Sequence, residues 1–82
     1  MQFVLTGHAR KRMRERNLTR AMLAAALRNP LRVTHERGGK LLVVAPQYRN
    51  GRERALLIAG TMDGITLRIF TVIETTKVQK YL

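Results

Sequence analysis

Residues 41–73 read LLVVAPQYRNGRERALLIAGTMDGITLRIFTVI, and how this stretch pairs with itself decides the fold. Its apolar period is two, the spacing of a half-buried strand. Asn50-Gly51 and Asp63-Gly64 interrupt it. Both pairs suit two-residue hairpin loops, whose type I′ form needs positive φ at each central residue. The spacing predicts strands over Leu41 to Tyr48, Arg54 to Met62 and Ile65 to Ile73. Pro46 has no N–H to give a neighbour, so it marks an edge position or a bulge. Upstream, Arg32 to Glu36 predicts a further strand, joined through a Gly38-Gly39 turn. The period is ambiguous over the tail Glu74 to Leu82.

The loops imply a register. With Asn50-Gly51 as loop, Tyr48 faces Glu53 and Ala45 faces Leu56. With Asp63-Gly64 as loop, Ile58 faces Ile69 and Leu56 faces Thr71. One face then carries Val43, Ala45, Leu56, Ile58, Leu67, Ile69 and Ile73, with Arg54 and Thr71 near its end. The other holds Leu42, Val44, Tyr48, Leu57, Phe70 and Val72, with His35 and Arg68 among them. That second face is too apolar to stay bare, so a partner or a second copy is expected on it, including a homodimer through this face.

Ahead of the sheet stand two helices. Thr6 to Arg16 predicts a short one, with Thr6 as N-cap and Asn17 as the left-handed residue after its end. Ala9 and Met13 form its apolar seam, and His8, Arg12 and Arg16 fall on one adjoining stripe. Thr19 opens a second helix, Arg20 to Arg28, apolar on nearly every side and therefore expected to be buried. Met22 stands where a Glu or Gln would complete a capping box, so none is expected. Asn29-Pro30 stops the helix. Gln2-Phe3-Val4-Leu5 reads either as a brief strand or as an extended lead-in. The class predicted is α+β: two helices on a four-stranded antiparallel sheet, in one domain spanning residues 1–82.

Eighty-two residues make a thin core. There is no cysteine for a disulfide or thiolate site, and no apolar run of membrane-spanning length or signal-peptide start. A soluble, cytoplasmic protein is expected, with no membrane partner. Sixteen Lys and Arg against five Asp and Glu give +11, with a pI near 11.7. A small domain this basic meets nucleic acid or an acidic protein.

Two histidines and five scattered carboxylates offer no metal-ligand spacing, so neither a metal nor another cofactor is expected. The chain has no serine and no glycine-rich phosphate loop. What remains is acid–base and electrostatic chemistry from His8 and the arginines. RNA cleavage asks for little more, because the 2′-hydroxyl supplies the nucleophile and the protein moves protons and stabilises the phosphorane.

The string T-x-H-A-x-x-R-M-x-E-R from Thr6, then N-L-T, an apolar helix, N-P and a late strand ending F-T-V resembles a family of small bacterial and phage proteins. These open with S/T-x-H-A-x-x-R-M-x-x-R and form a domain of unknown function. The family is similar to the RelE/ParE-like toxins of toxin–antitoxin pairs, within a wider group of barnase-, EndoU- and colicin-type nucleases. The resemblance implies helices on a four-stranded antiparallel sheet, an acidic antitoxin as partner, and RNA as target, ribosome-associated mRNA included. It points to His8, Arg12 and Thr71 as catalytic residues. Two departures stand out: Asn17 replaces a usual glycine, and Arg20 stands where an acid is commoner.

Arg16, Arg54, Tyr48 and Arg68 are further candidates for holding phosphate or RNA. Three have a plainer reading: Arg16 closes its helix, Tyr48 is a packing lid, and Arg68 pairs across strands with Glu53 or with an acidic partner. Two function classes follow. One is a metal-independent endoribonuclease toxin. The other is a non-catalytic basic protein that binds nucleic acid or gyrase.

Overall fold

The sheet is five-stranded and mixed, not four-stranded and antiparallel. The computed structural model describes residues 2–82. Strand β1 (Gln2–Leu5) leads into helices α1 (Gly7–Glu15) and α2 (Arg20–Arg28). Strands β2 (Arg32–His35), β3 (Lys40–Arg49), β4 (Arg52–Asp63) and β5 (Thr66–Thr75) follow, and a 3-10 turn, Val78–Tyr81, closes the chain. The spatial order is β1-β5-β4-β3-β2. Three neighbouring pairs are antiparallel, but β1 lies parallel to β5, with Gln2 beside Thr66 and Leu5 beside Ile69. Of the two readings of residues 2–5, the strand is the one seen. Its alternation explains this, because Phe3 goes to the core while Val4 stays half exposed.

The first long hairpin has the expected register, Tyr48 facing Glu53 and Ala45 facing Leu56. Asn50 (φ 53°) and Gly51 (φ 73°) turn it. The second hairpin differs. Its loop is Gly64-Ile65, so Asp63 pairs with Thr66. Only Gly64 there takes positive φ (62°), the glycine-first order of a type II′ turn. A bulge follows between Ala59 and Gly60, after which Ala59 pairs with Thr71 and Ile58 with Val72. The extra residue, Phe70, moves every later side chain of β5 to the other face. Val72 therefore joins the core, Glu74 lies on the helix side, and Thr71 and Ile73 leave by the far side. Gly60 permits the kink: a Cβ there would stand 2.6 Å from the Arg68 carbonyl oxygen.

Pro46 occupies an edge position. The β2 ladder ends where Leu31 N–H donates to the Val44 carbonyl, so no strand needs an N–H beyond it. His35 pairs with Leu41, which places it on the helix side rather than with Leu42 and Val44.

Helix α1 is capped at both ends. The Thr6 hydroxyl accepts from Ala9 N–H at 3.2 Å. At the other end Asn17 (φ 55°) allows Leu18 N–H to reach the Met13 carbonyl at 2.8 Å and its own N–H to reach Arg14. This is a Schellman closure, with buried Leu18 as its apolar contact. In α2, Thr19 Oγ1 accepts from Met22 N–H, and the Met22 sulfur accepts from Thr19 N–H at 3.4 Å. A thioether, a weak acceptor, thus completes the box that the absence of Glu or Gln argued against. Nor is α2 buried all round. Leu23, Ala26 and Leu27 go inward while Ala21 and Ala25 face solvent, since bare alanines cost little there.

The core lies between helices and sheet, where Ala9, Met13 and Leu23 meet Val43, Leu56, Ile58, Leu67, Ile69 and Val72. Each large side chain so buried contributes about 1.5–3 kcal/mol. On the outer face, part of the cover comes from the chain itself. The Arg32 guanidinium donates to the Leu82 carbonyl at 3.0 Å and holds the closing turn against β2.

Candidate nucleic-acid interface

The parallel β1–β5 pair sets the position of α1, since its ladder continues in Thr6 N–H donating to the Ile69 carbonyl at 3.0 Å. One residue later the helix begins. His8 therefore sits at the first turn, exposed, with no hydrogen bond or ion pair among the described residues. Arg12, one turn on, meets Glu15 at 3.9 Å with both side chains about half exposed. Such a contact is worth about 0–1 kcal/mol, so Arg12 is nearly as available as its neighbours. Arg10, Lys11 and Arg14 are also exposed, and no carboxylate pairs with them among the described residues. The outward side of α1 is thus a cationic ridge with one imidazole at its start.

Thr71 does not join it. Its side chain leaves the sheet on the face away from the helices, because the Phe70 bulge reverses the register that placed it near His8. The sequence-derived group of His8, Arg12 and Thr71 is not assembled.

The C-terminal end of α1 is held differently. Arg49 donates to the Arg16 carbonyl (3.2 Å) and the Asn17 carbonyl (2.9 Å), and its Nε lies 3.4 Å from Glu74 Oε2. Arg54 Nη1 lies 3.5 Å from Glu74 Oε1. The Arg16 guanidinium itself donates to the Val72 carbonyl at 3.4 Å. Glu74 is 11% exposed at its side chain, and Gln47, across from Arg54, is buried. Arg54 Nε and Glu74 Oε2 are buried without a hydrogen bond, so the cluster is packed rather than fully paired. These groups fasten the helix end, where free carbonyls favour cations, to the open end of the sheet. Arg16 and Arg54 are brought to one place, through bonds that occupy them. Eight residues of helix, about 12 Å, separate Arg16 from His8.

Sequence reasoning missed Arg49 and Glu74. The first was within reach, since the Asn50-Gly51 register places Arg49 on the Arg54 side. The second depended on the bulge.

Tyr48 and Arg68 lie on the outer face. Tyr48, 72% exposed, stands across from Glu53 near the first hairpin, and Arg68 stands across from Thr61 towards the second. Arg68 and Glu53 are therefore at opposite ends of β4 and do not pair. Arg20 has a local use: its guanidinium lies 4.3 Å from the Phe3 ring centre and donates to the Phe3 carbonyl at 3.1 Å. A cation–π contact thus ties the start of α2 to β1.

Among the described residues no three of His, Cys, Asp and Glu gather as metal ligands, and no helix is long and apolar enough to cross a membrane. Comparison of the chain with known families, curated proteins and solved structures finds no match.

Proposed function

We propose that this protein is a cytoplasmic RNA-binding protein that grips the phosphate backbone with the outward side of α1. The observation that carries this reading is the ridge of Arg10, Lys11 and Arg14, exposed and without carboxylate partners among the described residues. Such cations release condensed counterions when they meet phosphates, which makes binding steeply salt-dependent. Only four of the sixteen Lys and Arg meet a carboxylate among the described residues, so most of the charge is free to act outward. Fluorescence anisotropy with a labelled single-stranded RNA, titrated at several salt concentrations, tests it. The triple variant Arg10→Gln, Lys11→Gln, Arg14→Gln is expected to bind more weakly and to lower the log–log salt slope by about two. An unchanged slope would sink the assignment to α1.

A second reading, the endoribonuclease toxin, is favoured by one observation: His8 is open to solvent, one helical turn from Arg12. In that reading His8 moves the proton and Arg12 neutralises the phosphorane, without Thr71. Induced expression of wild type and His8→Ala in bacteria separates the two. Growth arrest with RNA loss in wild type alone supports cleavage at His8. Arrest with intact RNA in both supports a binder, of RNA or of gyrase, and an acidic protein that relieves it supports the antitoxin partnership.

A further inference from the structure

The outer face of the sheet carries a cleft that the ridge on α1 does not use. It measures about 270 Å³ and is lined by Arg32, Thr34, Leu42, Val44, Lys80 and Tyr81. Its construction follows from the register. Arg32 pairs with Val44 and Thr34 with Leu42, so all four side chains share the face away from the helices. The closing turn Val78–Tyr81 then supplies Lys80 and Tyr81, held in place by the bond from Arg32 to Leu82. The Lys80 ammonium lies 5.6 Å from the Tyr81 ring centre, so cation and aromatic are already adjacent.

The lining is specific in kind. Two aliphatic side chains make the floor, a tyrosine ring makes part of a wall, and two cations and a hydroxyl stand about them. A purely aliphatic groove would take any apolar chain, and a purely basic one any anion. An aromatic ring beside two cations on an aliphatic floor fits a ligand that is flat and apolar at one end and anionic at the other. The volume, just below the roughly 300–1,000 Å³ of drug-sized sites, suits one such unit. A nucleotide has that shape and charge.

We propose that this cleft holds one nucleotide of a single-stranded RNA, its base stacked on Tyr81 and its phosphate beside Lys80 and Arg32. The proposal deepens the RNA-binding reading and rests on it, with a second contact on the opposite side of the molecule from α1. Stacking needs an unpaired base, so the cleft selects single strands, whereas the ridge on α1 accepts any phosphate backbone.

The test is anisotropy with labelled oligouridine and with an RNA duplex of equal length, using full-length wild type, Tyr81→Leu, Tyr81→Phe and Lys80→Gln. Tyr81→Leu keeps an apolar side chain on the turn but removes the π-face; it is expected to weaken oligouridine binding about 5- to 150-fold and to leave the duplex unchanged. Tyr81→Phe is expected to bind like wild type, and Lys80→Gln to reduce the salt slope by about one. Equal weakening of both RNAs by Tyr81→Leu, or none, overturns the cleft assignment while the α1 reading stands. So does a parallel loss of affinity for labelled polyglutamate, which would make the cleft a site for acidic peptides. Failure of wild type to bind either RNA at low salt overturns both readings. Oligothymidine, run alongside, shows whether the ribose hydroxyl matters; an equal loss there assigns the effect to the base, as proposed.

Discussion

The two faces of this sheet are built from similar residues and do opposite work. On the helix side Leu56, Ile58, Leu67 and Ile69 are at most 1% exposed, and the open end is closed by Arg49 and Arg54 around Glu74. On the outer side Val4, Ile73 and Tyr48 remain 41–72% exposed, and Arg68 stands free at the surface. The arginines at the inner open end are held by carbonyls and a carboxylate, whereas on the outer side Arg68 stands free and Arg32 gives a donor to the Leu82 carbonyl. The inner face is the packed one, whereas the outer face leaves large side chains open beside the buried Val44 and Ala55.

The largest way to break this contrast is to remove volume from each side. Ile58→Ala is expected to lose about 2–5 kcal/mol, and its outward neighbour Leu57→Ala less than half of that, by urea denaturation. Equal losses would mean that the outer face is also a packed core. Gly60→Ala probes the kink that separates the faces; with the Arg68 carbonyl 2.6 Å from the new Cβ, about 1–3 kcal/mol should be lost, read as a fall in melting temperature. Glu74→Gln leaves Arg49 and Arg54 without their carboxylate and should cost about 1–3 kcal/mol. Glu36→Gln, at the exposed contact with Lys40 (3.9 Å), should change stability by less than about 0.5 kcal/mol. The smallest effect is the most pointed. Ile73→Thr should stay within about 0.5 kcal/mol, while its neighbour Val72→Thr, a hydroxyl in the core, should cost about 1–3 kcal/mol. The reverse order would restore the register without a bulge.

That last pair marks where the chain was legible and where it was not. Local chemistry sufficed for both helices, since Thr6, Thr19 and Asn17 act within a turn of themselves. It sufficed for the first hairpin too, because Asn50 and Gly51 both take positive φ. The second hairpin failed at its loop, where Asp63 stays in the strand and Ile65 enters the turn. It failed again at the bulge, which depends on how closely β5 approaches Gly60 rather than on any residue's own preference. A glycine inside an apolar strand was the available sign. Missing it placed Thr71 beside His8 and hid Glu74. The parallel pairing of β1 had no local signature at all, since four residues specify a strand but not its neighbour. Of the candidate site, periodicity picked out the exposed His8 and Arg12, but not Arg10, Lys11 and Arg14 beside them. The arginine clamp and the outer cleft could not be read that way, because both join residues far apart in the chain.

The pairing of β1 with β5 also bears on the birth of the molecule. Gln2 to Leu5 are the first described residues to leave the ribosome, and their partners, Thr66 to Ile69, follow some sixty residues later. At about 5–20 residues per second, the first strand waits several seconds for its neighbour. Until then the start of α1 has only its local Thr6 cap, because the backbone bond from Thr6 N–H to Ile69 cannot form. The high contact order of this single ladder makes completion of the fold a late and all-or-none event. The cationic ridge is thus fixed in place only once Ile69 has emerged, so a product that stops before it carries the charge without the surface that aims it.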